Sequence, residues 1–209
     1  MENIHDFENY EEKTIYFKDF MIKMLEIPRE DLEMHLSKII TREIPKDKFI
    51  IMQGNVSEYI YYTEQGILRM YSIDNNGKEH IVQFAPEGWL VFDRQSLYTD
   101  EPSNYYIQAV EDSVVAYIKK GFLENIIKTY PQSAEKNTFI LNRYIMMMQY
   151  RIYTLLSATA EERYLDFITS HPGFINRIPL YMLASYLGMT PESLSRVRNE
   201  ISQMAKLRP

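Results

Sequence analysis

The chain of 209 residues contains no cysteine, and this absence removes several classes of function at once. Disulfide scaffolds, thiolate zinc sites, cysteine-ligated iron–sulfur clusters and cysteine nucleophiles all require a thiol group. Oxygen sensing through an iron–sulfur cluster is therefore excluded. Histidine is also scarce, because the chain holds only His5, His35, His80 and His171. Their positions show no ligand spacing, so no metal or other cofactor is predicted, although haem is not excluded.

Long apolar runs are missing as well. No stretch approaches the ~18 apolar residues that a membrane-spanning helix needs. The first residues, Met1–Lys13, are acidic and lack the apolar core of a signal peptide. We therefore expect a cytoplasmic protein that has no membrane partner.

The charge balance does not fit a uniformly basic protein, because the net charge is −6. The charge is unevenly distributed, however, since residues 159–209 carry +1 and the rest of the chain carries −7. This mild asymmetry leaves room for a DNA-facing carboxyl-terminal part. Hydrophobic residues make up 45% of the chain, which is enough to form a buried core.

The pattern of apolar residues changes along the chain. Residues 17–40 have helical spacing with an interruption at Pro28. Residues 42–119 contain short apolar segments separated by Gly and Asn turns, and the pair Asn76-Gly77 is a strong hairpin signal. Several short strands over roughly 80 residues predict a β-sandwich or a small barrel.

A long helix is predicted from about Gln132 to Ser157. Apolar residues recur along it at steps of four, three, four and three, which is the seam of a coiled coil. The candidate dimerisation residues are Leu141, Ile145, Met148, Ile152 and Leu155. Because other apolar residues lie outside this seam, the helix needs two partners. We expect its twin from a second subunit and its own strand domain; a helix buried in one monomeric core is the alternative.

The segment from Ile178 to Ile201 matches a helix-turn-helix. Gly188 sits where a sharp turn favours a positive φ. Thr190 is a good N-cap residue and Pro191 a good first helical residue. Apolar side chains lie on both sides of the turn, and a generic helical hairpin is the alternative interpretation.

The second helix of this segment carries polar residues on the face away from Leu194 and Val197. Arginine can donate two hydrogen bonds to guanine, glutamate can accept one from cytosine, and asparagine can read adenine or hold a phosphate. The amides at the helix start also suit a phosphate oxygen. Each of these side chains could instead be an ordinary surface group. The candidate DNA-binding residues are Thr190, Glu192, Ser193, Ser195, Arg196, Arg198 and Asn199.

Over nearly its full length the chain resembles the CRP/FNR superfamily of bacterial transcription regulators. The run from Gly188 to Arg196 resembles the recognition signature of the family, and the run from Ala160 to Leu165 resembles the start of the helix that follows the dimerisation helix. Segments that fall at the barrel turns of the family are Gln53-Gly54, Gln65-Gly66, Asp74 to Glu79 and Pro86-Glu87-Gly88.

The resemblance implies an α+β fold in three parts. Residues 1–130 would form a cyclic-nucleotide-binding-like sensor domain, a double-stranded β-helix barrel of jelly-roll type. Residues 131–157 would form the dimerisation helix, and residues 158–209 an all-α helix-turn-helix domain. The family also implies a homodimer, double-stranded DNA with an inverted repeat as partner, and contact with RNA polymerase.

The sensor part departs from members that bind cyclic AMP. Those members carry a Gly-Glu pair and later an Arg-Ser or Arg-Thr that grips the phosphate, whereas this chain has Ser103-Asn104 at the arginine position. We therefore expect no cyclic AMP binding, and a small-molecule effector, if one exists, that is apolar or aromatic. The candidate pocket residues are Trp89, Phe92, Ser103, Asn104, Tyr106, Met146 and Met147. The same residues could simply fill the barrel.

After Ile201 only eight residues remain, so we expect no hairpin wing behind the second helix. The sequence predicts a regulator and not an enzyme. Three alternatives stay open: a cupin-like metalloenzyme, a cyclic-nucleotide-binding module without DNA function, and a regulator that binds DNA without any effector. The first needs clustered histidines inside the barrel, and the strand region has one.

Overall fold

The computed structural model describes residues 17–207, which form two compact units, 17–144 and 145–207. In the described part, no helix is both long and apolar enough to cross a membrane. The helices are α1 (Phe17–Leu25), α2 (Leu32–Leu36), α3 (Arg94–Thr99), α4 (Phe122–Thr129), α5 (Ser133–Ser157), α6 (Ala160–Ser170), α7 (Leu180–Tyr186) and α8 (Pro191–Leu207).

Eight antiparallel strands form two four-stranded sheets in the first unit. The strands are β1 (Ile40–Ile44), β2 (Phe49–Ile51), β3 (Tyr59–Gln65), β4 (Leu68–Ile73), β5 (Glu79–Ala85), β6 (Leu90–Val91), β7 (Tyr106–Ala109) and β8 (Ser113–Lys119). One sheet has the order β1-β8-β3-β6 and the other the order β2-β7-β4-β5. Apart from β4 and β5, neighbouring strands in the two sheets are not consecutive in sequence, so the strands do not form a simple meander. The predicted α+β class is confirmed.

Alternation along the strands directs side chains to two different cores. On β3, Tyr61 joins an inner cluster that contains residues of both sheets, including Leu68 and Ile107. The next residue, Tyr62, points the other way and joins a helix-side cluster with Phe17 and residues of α4. The unit of residues 17–144, called the sensor unit after the predicted sensor domain, therefore has one core between its sheets and a second core under its helices.

The predicted hairpin at Asn76-Gly77 is confirmed, because it joins β4 to β5 in antiparallel register. Gly77 has a φ of +79°, and one Asp74 carboxylate oxygen accepts hydrogen bonds from the amides of Asn76 and Lys78. The other carboxylate oxygen lies 2.8 Å from Nε2 of His80. Asp74 thus holds the turn and the first residues of β5 together.

The second unit is all-helical. Thr159 and Glu162 form a reciprocal capping box at the start of α6, which sets where that helix begins. Its core is made of apolar residues from α6, α7 and α8, and Leu183, Ala184 and Leu194 are fully buried there. The predicted end of the long helix at Ser157 agrees with the end of α5.

Candidate functional site: the α7–α8 unit and the sensor contacts

Helices α7 and α8 are joined by a tight turn centred on Gly188. The φ of Gly188 is +65°, and the amide of Met189 donates a hydrogen bond to the carbonyl of Ala184 at 3.0 Å. A residue with a Cβ is strained at this φ, so glycine is the natural choice. Leu194 and Val197 on α8 are buried against α7, which turns the opposite side of α8 to solvent.

The start of α8 is capped by its own side chains. The Thr190 hydroxyl accepts a hydrogen bond from the amide of Ser193 at 3.2 Å, as expected for an N-cap. Hydrogen bonds from its own amide and from the Thr190 hydroxyl lower the pKa of Glu192. Glu192 is therefore ionised at neutral pH and can accept hydrogen bonds.

Four of the predicted DNA-binding residues share one exposed face of α8. Glu192, Ser195, Arg196 and Asn199 are all exposed and follow the i, i+3, i+4, i+7 spacing of a single helical face. Thr190 is exposed at the helix start, while Ser193 and Arg198 are half-buried at the edge of this face. We call the four residues together the α8 face.

The seam predicted on α5 is exposed in the single chain. Exposed fractions are 39% for Leu141, 44% for Ile145, 58% for Ile152 and 37% for Leu155, and Met148 is half-buried. At 3.6 residues per turn the five side chains lie within about 80° of arc. A second set of exposed apolar residues of α5 lies outside the seam: Phe139, Met146, Tyr150, Tyr153 and Leu156.

Within residues 17–144, the predicted effector-pocket residues do not all belong to one cluster. Trp89 packs against the inner cluster, whereas Phe92 packs against the helix-side cluster. Tyr106 stacks on Tyr71, with ring centroids 5.1 Å apart, and its neighbour Ile107 points to the inner cluster instead. Asn104 is exposed. Met146 is exposed and Met147 half-buried, both in the unit of residues 145–207.

Ser103 is engaged by other residues of the sensor unit. Its buried hydroxyl donates a hydrogen bond to a carboxylate oxygen of Asp93 at 2.8 Å. The other carboxylate oxygen of Asp93 accepts from the amides of Gln95 and Ser96, which caps α3. The Ser103 amide donates a hydrogen bond to the carbonyl of Asn55, and the Ser103 carbonyl accepts one from the amide of Gly54. The polar groups of Ser103 are thus used to join three segments of the barrel.

Arg94, the first residue of α3, lies between two aromatic rings. Its guanidinium carbon is 4.7 Å from the ring centroid of Phe92 and 4.8 Å from that of Tyr144 on α5. Both contacts lie within the sensor unit. They tie the first half of α5 to α3 by cation–π attraction.

Comparisons with known proteins agree with this architecture. Residues 41–130 match the family model of the cyclic nucleotide-binding domain. The fumarate and nitrate reduction regulatory protein of Yersinia pestis is 31% identical over 202 residues, which cover 88% of this chain and 79% of that protein. An anaerobic regulatory protein of Pasteurella multocida is 29% identical over 93% of this chain and 76% of its own length.

The chain belongs to the CRP/FNR superfamily. It is a transcription regulator of the CRP/FNR type, as the sequence predicts. FixK2 from Bradyrhizobium japonicum shares the fold with a TM-score of 0.67 at 21% identity, over 80% of this chain and 86% of FixK2. The regulator CLP of Xanthomonas campestris shares it with a TM-score of 0.68 at 13% identity, over 85% of this chain and 93% of CLP.

Two features of this CRP/FNR regulator have no signal in the local sequence. Arg94 is two residues from Phe92 in the sequence, but Tyr144 is fifty residues away and only the fold brings it close. A cavity of about 330 Å³ lies on the helix side of the sensor, lined by Phe17, Lys18, Leu36, Ile39, Thr41 and Glu64. Burial raises the pKa of Glu64.

Among the residues described, no group of three or more His, Asp or Glu side chains could hold a metal ion.

Proposed function

We propose that this CRP/FNR regulator binds an inverted repeat in double-stranded DNA as a homodimer and reads its bases with α8. The α8 face is the observation that carries the proposal. It combines an arginine, a carboxylate and an amide on one exposed side of a helix whose other side is buried. These are the groups that distinguish bases in the major groove.

Dimerisation through α5 supplies the two-fold symmetry that an inverted repeat requires. Four of the five seam residues expose more than a third of their surface in the single chain. A continuous apolar stripe of this kind is costly in water and marks an interaction surface. The matching surface is the same stripe on a second copy, because a 4-3 apolar spacing packs on itself.

We further propose that the effector is not a cyclic nucleotide, and that DNA binding without an effector is the other case to test. The phosphate of a cyclic nucleotide would need a cation or free hydrogen-bond donors at the Ser103-Asn104 position. The Ser103 hydroxyl already donates its hydrogen bond to Asp93. The three-part division into residues 1–130, 131–157 and 158–209 belongs to the same proposal. So do the jelly-roll barrel, the absence of enzymatic activity, a cytoplasmic location and the contact with RNA polymerase.

Selection of binding sites from random duplex DNA tests the proposal. The full-length protein should enrich an inverted repeat whose half-sites lie about one helical turn, ~34 Å, apart. If no palindromic site is enriched, with or without a cell extract of small molecules, the proposed function is wrong.

Two arginine variants then separate base contact from charge. Arg196 is exposed one turn into α8 and should pair with guanine, so Arg196→Ala should cost about 1–3 kcal/mol per half-site and relax specificity at one position. Arg198 is half-buried at the edge of the face, and Arg198→Ala should weaken all sequences alike and reduce the salt dependence. Unchanged sequence preference in Arg196→Ala would show that Arg196 is not a base contact.

A further inference from the structure

The second half of α5 is joined to the helix-turn-helix by specific contacts. The guanidinium of Arg151 lies over the ring of Tyr186 on α7, with its carbon 3.6 Å from the ring centroid. The hydroxyl of Tyr150, the preceding residue of α5, donates a hydrogen bond to Asp166 on α6 at 2.9 Å. These residues all belong to the unit of residues 145–207.

The turn between α7 and α8 also touches α5. A Cβ placed on Gly188 would lie 2.9 Å from Cδ2 of Leu155, which is closer than ordinary van der Waals contact. Leu155 is one of the seam residues and remains 37% exposed. The same residue of α5 therefore contacts the turn on one side and carries the proposed dimer seam on the other.

We propose that Arg151 is a positioning residue that fixes the helix-turn-helix on α5 and thereby sets the spacing of the two DNA half-sites. This inference rests on the proposed dimeric DNA binding. In a two-fold dimer formed through α5, the distance between the two copies of α8 depends on how firmly each α7–α8 pair is held on its own α5. A guanidinium stacked at 3.6 Å on a ring resists sliding and rotation, because both groups are planar.

Arg143 provides a matched control on the same helix. Its guanidinium carbon lies 5.8 Å from the ring centroid of Phe139, which is a residue of α5 itself. Replacing Arg143 removes the same charge and a similar type of contact, but leaves the α5–α7 contact in place.

The experiment measures affinity as a function of half-site spacing. The inverted repeat selected by the unmodified protein is resynthesised with its centre lengthened or shortened by one and two base pairs, together with a duplex that holds a single half-site. The unmodified protein, Arg151→Ala, Arg151→Lys, Tyr186→Leu and Arg143→Ala are each titrated on this panel. Light scattering and circular dichroism confirm that each variant is a folded dimer.

The unmodified protein and Arg143→Ala should both bind most tightly at the same half-site spacing. In Arg151→Ala the ratio of affinities between the best spacing and its neighbours should fall by about two- to thirtyfold, the range of an arginine–aromatic contact, with single half-site affinity unchanged. Arg151→Lys should behave like Arg151→Ala, because lysine keeps the charge and loses the planar stacking. Tyr186→Leu should lower the same ratio by a similar factor. The double variant Arg151→Ala/Tyr186→Leu should lower it little further than either single variant does.

A purely structural or electrostatic role makes a different prediction. If Arg151→Ala and Arg151→Lys weaken every duplex equally and keep the spacing preference, the inference is wrong while the proposed function stands. If the unmodified protein prefers no inverted repeat, the proposed function and the inference about Arg151 are both wrong.

Discussion

Replacing Ile152 by aspartate should separate the dimer without unfolding the protomer. Ile152 exposes 58% of its surface in the single chain, so the substitution creates no buried charge within the protomer. Full burial of an isoleucine is worth about 1.5–3 kcal/mol, so the exposed share is worth about 1–2 kcal/mol in each subunit. Because the two-fold dimer contains two copies of Ile152, the substitution should cost about 2–4 kcal/mol of dimerisation free energy in total.

Two carboxylates facing each other in an apolar seam add a desolvation cost to this loss. Since about 1.4 kcal/mol corresponds to a tenfold change in a dissociation constant, we expect the dimer to weaken at least ~100-fold. Sedimentation equilibrium over a range of concentrations measures the dissociation constant, and far-ultraviolet circular dichroism reports the fold. Asn142→Asp is the control, because it places the same charge on an exposed polar position about a quarter turn away from the seam. A monomeric unmodified protein at micromolar concentration, or an Ile152→Asp dimer as tight as the Asn142→Asp dimer, would refute the reasoning.

Three further predictions concern the sensor, the core and the hairpin. Calorimetry should detect no submicromolar binding of cyclic AMP or cyclic GMP, since Ser103 is engaged by Asp93; tight binding of either would contradict that assignment. Leu194→Ala, at a fully buried position, should cost about 2–5 kcal/mol of unfolding free energy in chemical denaturation, against less than about 1.5 kcal/mol for Leu194→Met. Hydrogen bonds from His80 and then from two backbone amides lower the pKa of Asp74 to about 2. Because this pKa is depressed, the stabilisation is present above the ordinary aspartate pKa and is lost as the pH falls through about 2; an NMR titration midpoint near the ordinary value would contradict this.

The sequence predicts elements best where the signal is local. The long helix, the turn at Gly188 and the hairpin at Asn76-Gly77 each depend on residues within a few positions of one another, and the structure has all three. Residues on the α8 face could also be predicted, because helical periodicity alone decides which side chains are exposed together.

Three of the predicted effector-pocket residues show what local sequence patterns do not determine. Trp89 and Phe92 are three residues apart but separated by the short strand β6, so they reach different cores. Tyr106 points away from the inner cluster, because its neighbour Ile107 points towards it. Which of the two residues faces the core depends on the pairing register of β7 with β4, and no local sequence signal sets that register. The contact of Arg151 with Tyr186 joins two helices through the tertiary fold. Long-range pairs of this kind need the structure.

Hydroxyl-radical footprinting of the selected operator, combined with the number of chains bound per duplex, tests the central claim most directly. The account predicts two chains on one duplex and two equivalent protected patches about one helical turn apart, related by a two-fold axis through the centre of the site. A single protected patch, or one chain bound per duplex at saturation, would contradict it.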